Sequence, residues 1–291
     1  MMESNVARRV QNTSAPSHWK LWLSQLKGIF RLEIKRNLVQ KRNLMEYLTL
    51  VSIPVILILI KAIRYFLGKG QTHSLAEMTS IYAYVFYYFY VRMVIFFFSL
   101  SLFTKLIKSE VADRTIHYYF LTPVKRSLII LGKYISGLSI TFSFISISVF
   151  LSYILFYVPC GTAEMSKHFL QGPGFDLIGS FLLIIFLGCM AYGALFLLLG
   201  LTFKNPLVVG LFFLLWEVLS ALLPARFKAF TIIFYLNSLM PITVIPQDSL
   251  ALLADPASLG RCLFSLGFFV IILLAIAALM IKHKQVDYAT E

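Results

Sequence analysis

The chain has 291 residues, of which 59% are hydrophobic and 13% charged, with a mean hydropathy of +0.82. Soluble domains run nearer about 45–50% apolar and about 25% charged, so this composition excludes an ordinary soluble domain and indicates an integral membrane protein. A formal charge of +13 invites a nucleic-acid reading, but the basic residues flank apolar runs, which suits membrane topology and anionic lipid headgroups instead.

Residues 1–16 form a polar tail with no short apolar core and no small-residue cleavage site after it, so no cleavable signal peptide is expected. In residues 17–44, Trp19, Trp22, Leu23, Leu26, Ile29 and Phe30 recur at helical spacing, with Lys20, Lys27, Arg31, Lys35 and Arg36 largely between them. Tryptophan on one face and basic residues on the other predict a helix lying in the headgroup plane, with Trp19, Trp22 and Phe30 facing the membrane. A helix packed on a soluble partner is the alternative.

Six apolar spans follow, at about 20 residues each: residues 47–67, 81–103, 127–157, 177–203, 207–223 and 262–281. The first contains Pro54, and Lys61 and Arg64 near its far end suit snorkelling. The second opens with IYAYVFYYFYV. Its five tyrosines, Tyr82, Tyr84, Tyr87, Tyr88 and Tyr90, are expected to form an aromatic belt at the membrane interface, with stacking on a substrate as the alternative. Two charges fall inside spans, Arg92 in the second and Glu217 in the fifth. Intramembrane charges are functional candidates by default. Opposite signs at comparable depth suggest a pair, lining an export route or fixing helix packing; a lipid phosphate is a third partner for Arg92.

Between the second and third spans lies residues 110–133, EVADRTIHYYFLTPVKRSLIILGK. Its charges cannot stay in hydrocarbon, so it lies on one face of the membrane. Val111, Ile116, Tyr119 and Phe120 interleave with Glu110, Asp113, Arg114 and His117 as in a short amphipathic helix, and Pro123 closes it. The segment is either a docking element for a soluble partner or an ordinary charged connector. It resembles the segment between the second and third spans of ABC-transporter permeases of the type-2 exporter family, on Glu110, Thr115, Leu121, Pro123, Arg126 and Leu131-Gly132-Lys133. Arg114 departs from the Gly common there. The order of spans along nearly the whole chain also agrees. The resemblance implies that residues 108–122 are a coupling helix seated on an ATP-binding subunit, with Glu110, Asp113, Arg114, Thr115, His117, Pro123 and Arg126 at the contact. The interfacial helix of residues 17–44 occupies the place that such permeases give to one.

The third span carries Ser136, Ser139, Ser143 and Ser146 on one face and Thr141, Ser148 and Ser152 on another, suiting close helix packing first and a polar pathway second. Lys204-Asn205-Pro206 makes a tight turn between the fourth and fifth spans. Residues 224–260 include an apolar stretch, 230–240, too short to span and followed by Pro241 and Pro246. It is expected to be re-entrant, as the external gate of type-2 permeases is, or else a loop at the headgroups.

Placing both termini in the cytoplasm puts seventeen Lys and Arg on that side and seven on the other, which sets the orientation and brings residues 110–133 to the cytoplasmic face. The three cysteines, Cys160, Cys189 and Cys262, are scattered, and there is no CxxC or HExxH, so neither a disulfide framework nor a metal site is expected. Leu131-Gly132-Lys133-Tyr134 fails as the end of a phosphate-binding loop, since Ser127 holds the first Gly position and Tyr134 that of Ser or Thr. No GxSxG or compact acid–base group marks a catalytic site.

The expected fold is therefore all-α integral membrane over residues 1–291 as one domain. It comprises six transmembrane helices with an N-terminal interfacial amphipathic helix, a cytoplasmic coupling helix and a re-entrant segment before the last span. The resemblance implies a permease subunit that exports or flips a substrate across the plasma (inner) membrane. ATP and Mg would be bound by a separate ATP-binding subunit and none in this chain; a second permease subunit, identical or related, and membrane lipids complete the partners. No nucleic acid is expected. The rivals are a polytopic enzyme acting on lipids, with Glu110, Asp113 and His117 as its candidate cluster, and a non-transporting scaffold driven by an ATPase.

Overall fold

The structure is a computed structural model. It describes residues 18–39, 75–112, 126–157, 172–219, 225–228, 230–242 and 257–283, together with residues 166 and 168–170 and scattered positions between 52 and 67. The described residues are helical, with no strand among them. In chain order the helices are α1 (His18–Val39), α2 (Leu75–Val85), a π-helix (Phe86–Val94), α3 (Ile95–Ala112), α4 (Arg126–Tyr157), α5 (Gly174–Thr202), α6 (Pro206–Leu219), α7 (Ala225–Lys228), α8 (Ile232–Ser238) and α9 (Leu259–His283).

Four stretches are long and apolar enough to cross a membrane: Glu77–Lys108, Ser127–Tyr157, Gly174–Thr202 and Leu259–Ile281. They match the second, third, fourth and sixth expected spans within a few residues. The protein is a multi-pass helical membrane protein. Residues 206–219 of the fifth expected span are helical but make a shorter apolar helix, and residues 220–223 lie outside the described residues. Only scattered positions of the first span, residues 47–67, are described, helical where they are.

Physical reasons for these boundaries are local. Phe203 is extended (φ −105°, ψ 145°) and ends α5, and Pro206 opens α6 at the first helical position, where its missing N–H costs nothing. At 31 residues, Ser127–Tyr157 is about 46 Å long at about 1.5 Å per residue, against a hydrocarbon core of about 30 Å, so it projects. No breaker stands between Phe103 and Ala112, and residues 108–112 accordingly continue α3 instead of starting a separate helix. The rest of the expected coupling helix, residues 113–122, lies outside the described residues.

The core is aromatic and centres on the rod that runs from α2 through the π-helix into α3, packed against α4 and α5. Phe103 of α3 lies against two glycines at once. A Cβ on Gly137 of α4 would fall 2.7 Å from its ring, and one on Gly193 of α5 would fall 2.6 Å from it. Small residues at both contacts let three backbones approach closely.

The aromatic belt expected of the second span is corrected here. Tyr84 and Tyr88 are exposed, but Tyr82, Tyr87 and Tyr90 are buried. Tyr82 shares a hydrogen bond with Ser152 at 2.9 Å and Tyr90 one with Ser148 at 2.9 Å. A buried tyrosine needs a partner for its hydroxyl, and the Ser148–Ser152 face of α4 supplies it. Those serines therefore hold the bundle together.

Candidate functional site

Two polar groups stand out in this apolar fold, and each is built from elements that the sequence places far apart. The first is at the end of the bundle where α3 leaves and α4 returns, on either side of residues 113–125. There α1 packs along α4, and the face it buries is Ile29, Glu33 and Asn37, one turn apart each. Glu33 is the single acidic residue of α1. Its carboxylate accepts from Lys133 Nζ at 2.7 Å, and Lys133 also donates to the Leu106 carbonyl of α3 at 3.0 Å. Asn37 donates to the Glu33 carbonyl at 2.9 Å. Beside them, Gly132 admits Ile29 so closely that a Cβ would fall 2.7 Å from the Ile29 Cγ2.

This is a clasp of three helices. Charges buried to this degree are tolerated when paired and further hydrogen-bonded; Lys133 has the Leu106 carbonyl, and Asn37 Nδ2 lies 3.5 Å from the second carboxylate oxygen of Glu33. Through it, α1 is fixed to both stems of residues 113–125. Lys133, which the resemblance to type-2 permeases includes in its Leu131-Gly132-Lys133 group, is thus a structural cation. The signal that finds the pair is the lone acid among basic residues, on the same helical face as Ile29.

The second group centres on Arg92, midway along the apolar Glu77–Lys108 stretch. Arg92 belongs to the π-helix, whose register is marked by the Ile95 N–H donating to the Tyr90 carbonyl, five residues back. In such a helix the residues four and five earlier both lie one turn below. Arg92 accordingly sits over the rings of both Tyr87 and Tyr88, at 5.2 and 5.6 Å from their centroids, and donates to the Tyr87 hydroxyl at 3.3 Å. Its Nε is buried without a hydrogen-bond partner.

Glu217 of α6 takes a different partner. Its two carboxylate oxygens accept the backbone N–H groups of Ile232, at 3.1 Å, and Ile233, at 3.2 Å. They cap the start of α8, whose Thr231 offers no side-chain cap of its own. Tyr192 of α5 is a further side-chain partner of this carboxylate, and Tyr87, Arg92, Tyr192 and Glu217 are near enough to act on one another electrostatically. The structure thus brings Arg92 and Glu217 into one neighbourhood, with Arg92 bonded to tyrosine and Glu217 to a helix start. The short helix held by Glu217 reaches deep, since Leu236 lies against Gly188, halfway along α5.

Other site residues are located as follows. Trp22 is exposed and Phe30 half-buried on α1, while the side chain of Trp19 is outside the described residues. Glu110 lies in the last turns of α3 and Arg126 opens α4. Asp113, Arg114, Thr115, His117 and Pro123 fall outside the described residues. Among the described residues no cluster of three His, Cys, Asp or Glu is placed to hold a metal.

The N-terminal helix α1 is thus clasped to the stems of a polar segment, on a bundle of long apolar helices. The family model described as ABC-2 family transporter protein matches residues 3–279. The chain belongs to the ABC-2 transporter family. The match spans α1, the segment at residues 113–125, the Arg92 and Glu217 neighbourhoods and nearly all of α9. Curated proteins searched with the sequence yield no match. ABC-2 membership assigns the chain to transport subunits and not to enzymes.

Proposed function

We propose that this ABC-2 protein is the membrane-spanning permease subunit of a transporter in the plasma (inner) membrane, exporting or flipping a substrate with ATP hydrolysed by a separate ATP-binding subunit. It has six spans, both termini in the cytoplasm, and a second permease subunit, identical or related, beside it. Residues 108–122 dock on the ATP-binding subunit, with Glu110, Asp113, Arg114, Thr115, His117, Pro123 and Arg126 at the contact.

The observation that carries this reading is the Lys133 clasp. Lys133 holds Glu33 of α1 and the Leu106 carbonyl of α3, so a push on residues 113–125 moves three helices as a unit. A charged connector with no mechanical role has no need of a buried lysine that bonds across its two stems and pairs with a third helix. The seat of α8 against the middle of α5 supports a re-entrant course for part of residues 224–260. Closure of the ATP-binding subunits would then tilt the α3 and α4 stems, and α8, capped by Glu217, would respond at the other mouth.

The test is ATP hydrolysis by the complex purified from native membranes and returned to lipid vesicles. Hydrolysis is expected from the complex and absent from the chain alone. Charge reversal at Glu110 and Arg114 is expected to remove the dependence of that rate on the permease. Full ATPase activity from the isolated chain would overturn the proposal.

A further inference from the structure

Arg92 is an intramembrane cation whose one side-chain hydrogen bond among the described residues goes to a tyrosine and not to a carboxylate. It stands fifteen residues after Glu77 and sixteen before Lys108 in the Glu77–Lys108 span. At about 1.5 Å per residue that is more than 20 Å from either end, and half the hydrocarbon core is about 15 Å. Arg92 is therefore near the mid-plane, beyond the reach of resident lipid headgroups. An unpaired charge is costly at that depth.

Its surroundings leave the guanidinium with no carboxylate bonded directly to it among the described residues. Of its donors, one reaches the Tyr87 hydroxyl at 3.3 Å, a long bond, and Nε is buried without a partner. Glu217, the acid in the same neighbourhood, acts on Arg92 through space, while its oxygens accept the Ile232 and Ile233 N–H groups. The rings of Tyr87 and Tyr88 hold the guanidinium from below, which orients it without neutralising it. Tyr88 and Met93 are exposed and Arg92 is half-buried, so the site opens outward from the packed core. The π-helix is what puts two rings under one guanidinium, and such helices gather at functional sites.

We infer that Arg92, oriented by Tyr87 and Tyr88, is a mid-membrane subsite for the anionic headgroup, phosphate or carboxylate, of an amphiphile in transit. The planar fork of arginine matches two oxygens of such a group. Near the mid-plane no headgroup is present except one being moved, and the apolar face around Met93 suits its chain. This inference rests on the permease reading and names the substrate class that the reading leaves open.

The test is equilibrium binding to the purified chain in nanodiscs of zwitterionic lipid. The probes are a fluorescent dodecyl phosphate, a fluorescent dodecanoate, and a neutral dodecyl alcohol bearing the same dye. Either anionic probe, or both, is expected to bind at least about tenfold more tightly than the alcohol. Arg92→Gln is expected to bring its affinity down to that of the alcohol, and Arg92→Lys to recover it in part, since lysine keeps the charge but lacks the fork. Tyr88→Ala removes an exposed ring without opening a core cavity, so it keeps the test valid if Arg92→Gln fails to fold, and it is expected to weaken anionic binding several-fold. Inorganic phosphate in millimolar excess is expected not to compete; competition would give the site to a soluble anion and overturn the amphiphile. Equal affinity for alcohol and anions, or anionic binding unchanged in Arg92→Gln and Tyr88→Ala, would overturn the inference outright. Binding needs no ATP-binding subunit, so its failure is separate from failure of a subunit to co-purify, which bears on the permease reading alone.

Discussion

Glu33 and Lys133 show how one ion pair can matter more than many apolar contacts. Each is buried; Lys133 also donates to the Leu106 carbonyl, and Asn37 Nδ2 lies 3.5 Å from the second carboxylate oxygen of Glu33. Removing one member strands the other, at about 3–5 kcal/mol in comparable buried pairs, whereas replacing both by apolar residues is often close to neutral. Lys133→Met is therefore expected to lower the melting temperature in detergent sharply. The double variant Glu33→Leu with Lys133→Met is expected to recover most of it, and equal losses in the two would contradict the clasp. A second residue acts through pH. His168, between α4 and α5, is buried, stacks on Tyr157 at 4.6 Å and bonds the Tyr153 hydroxyl through Nε2 at 3.1 Å. Burial lowers its pKa below the ordinary histidine value. The unfolded chain thus takes up a proton near about pH 6.5 that the folded chain resists. Stability from this group is full above that pH and falls as the pH drops below it. Melting curves between about pH 7.5 and about pH 5 are expected to show that loss, and His168→Gln to flatten it.

At the scale of elements, the apolar periods and lengths were legible and the side-chain pairings were not. Four of the six expected spans agree within a few residues, because about twenty or more apolar residues in a row admit one outcome in lipid. Three of the five tyrosines of the second span, Tyr82, Tyr87 and Tyr90, lie in the core and not in a belt. Ring composition fits a belt or a core equally well, and the deciding partners, Ser148 and Ser152, are some 60 to 70 residues away. The same distance hid the Glu33 clasp, with 100 residues between its partners. Nor does sequence announce a π-helix, although Phe86–Val94 sets the direction of Arg92. Glu217 is a buried charge for which opposite sign at comparable depth suggests Arg92 as partner, yet its carboxylate accepts from the backbone of α8. Glu217→Ala would leave two buried N–H groups unpaired, at about 1–3 kcal/mol each. It is expected to expose residues 232–240 to hydrogen exchange, and Glu217→Gln, which keeps an acceptor, to expose them less. Unchanged exchange in both would mean that packing alone holds α8. Phe103 offers a steric counterpart. Gly193→Leu is expected to cost about 1–3 kcal/mol by forcing that ring out of its place between α4 and α5, read as a lower detergent melting temperature.

For the whole molecule, the clasp, the aromatic rod and α8 form a line from one end of the bundle to its middle. Lys133 ties α1 to α3 and α4; α3 continues through the π-helix to α2; and the π-helix lies against α8. Force applied at residues 113–125 thus has a continuous, packed course to Arg92 and Glu217, which is what a permease driven from one face requires. The ABC-2 family match over residues 3–279 agrees with a machine of this kind. Its central claim is that an ATP-binding subunit grips the segment between α3 and α4. The direct measurement is a pull-down of the tagged protein from native membranes in mild detergent, with and without charge reversal at Glu110 and Arg114. The account predicts a stoichiometric ATP-binding subunit with the wild type and its loss on charge reversal. Absence of any such subunit, or its retention at full stoichiometry after charge reversal, would contradict it.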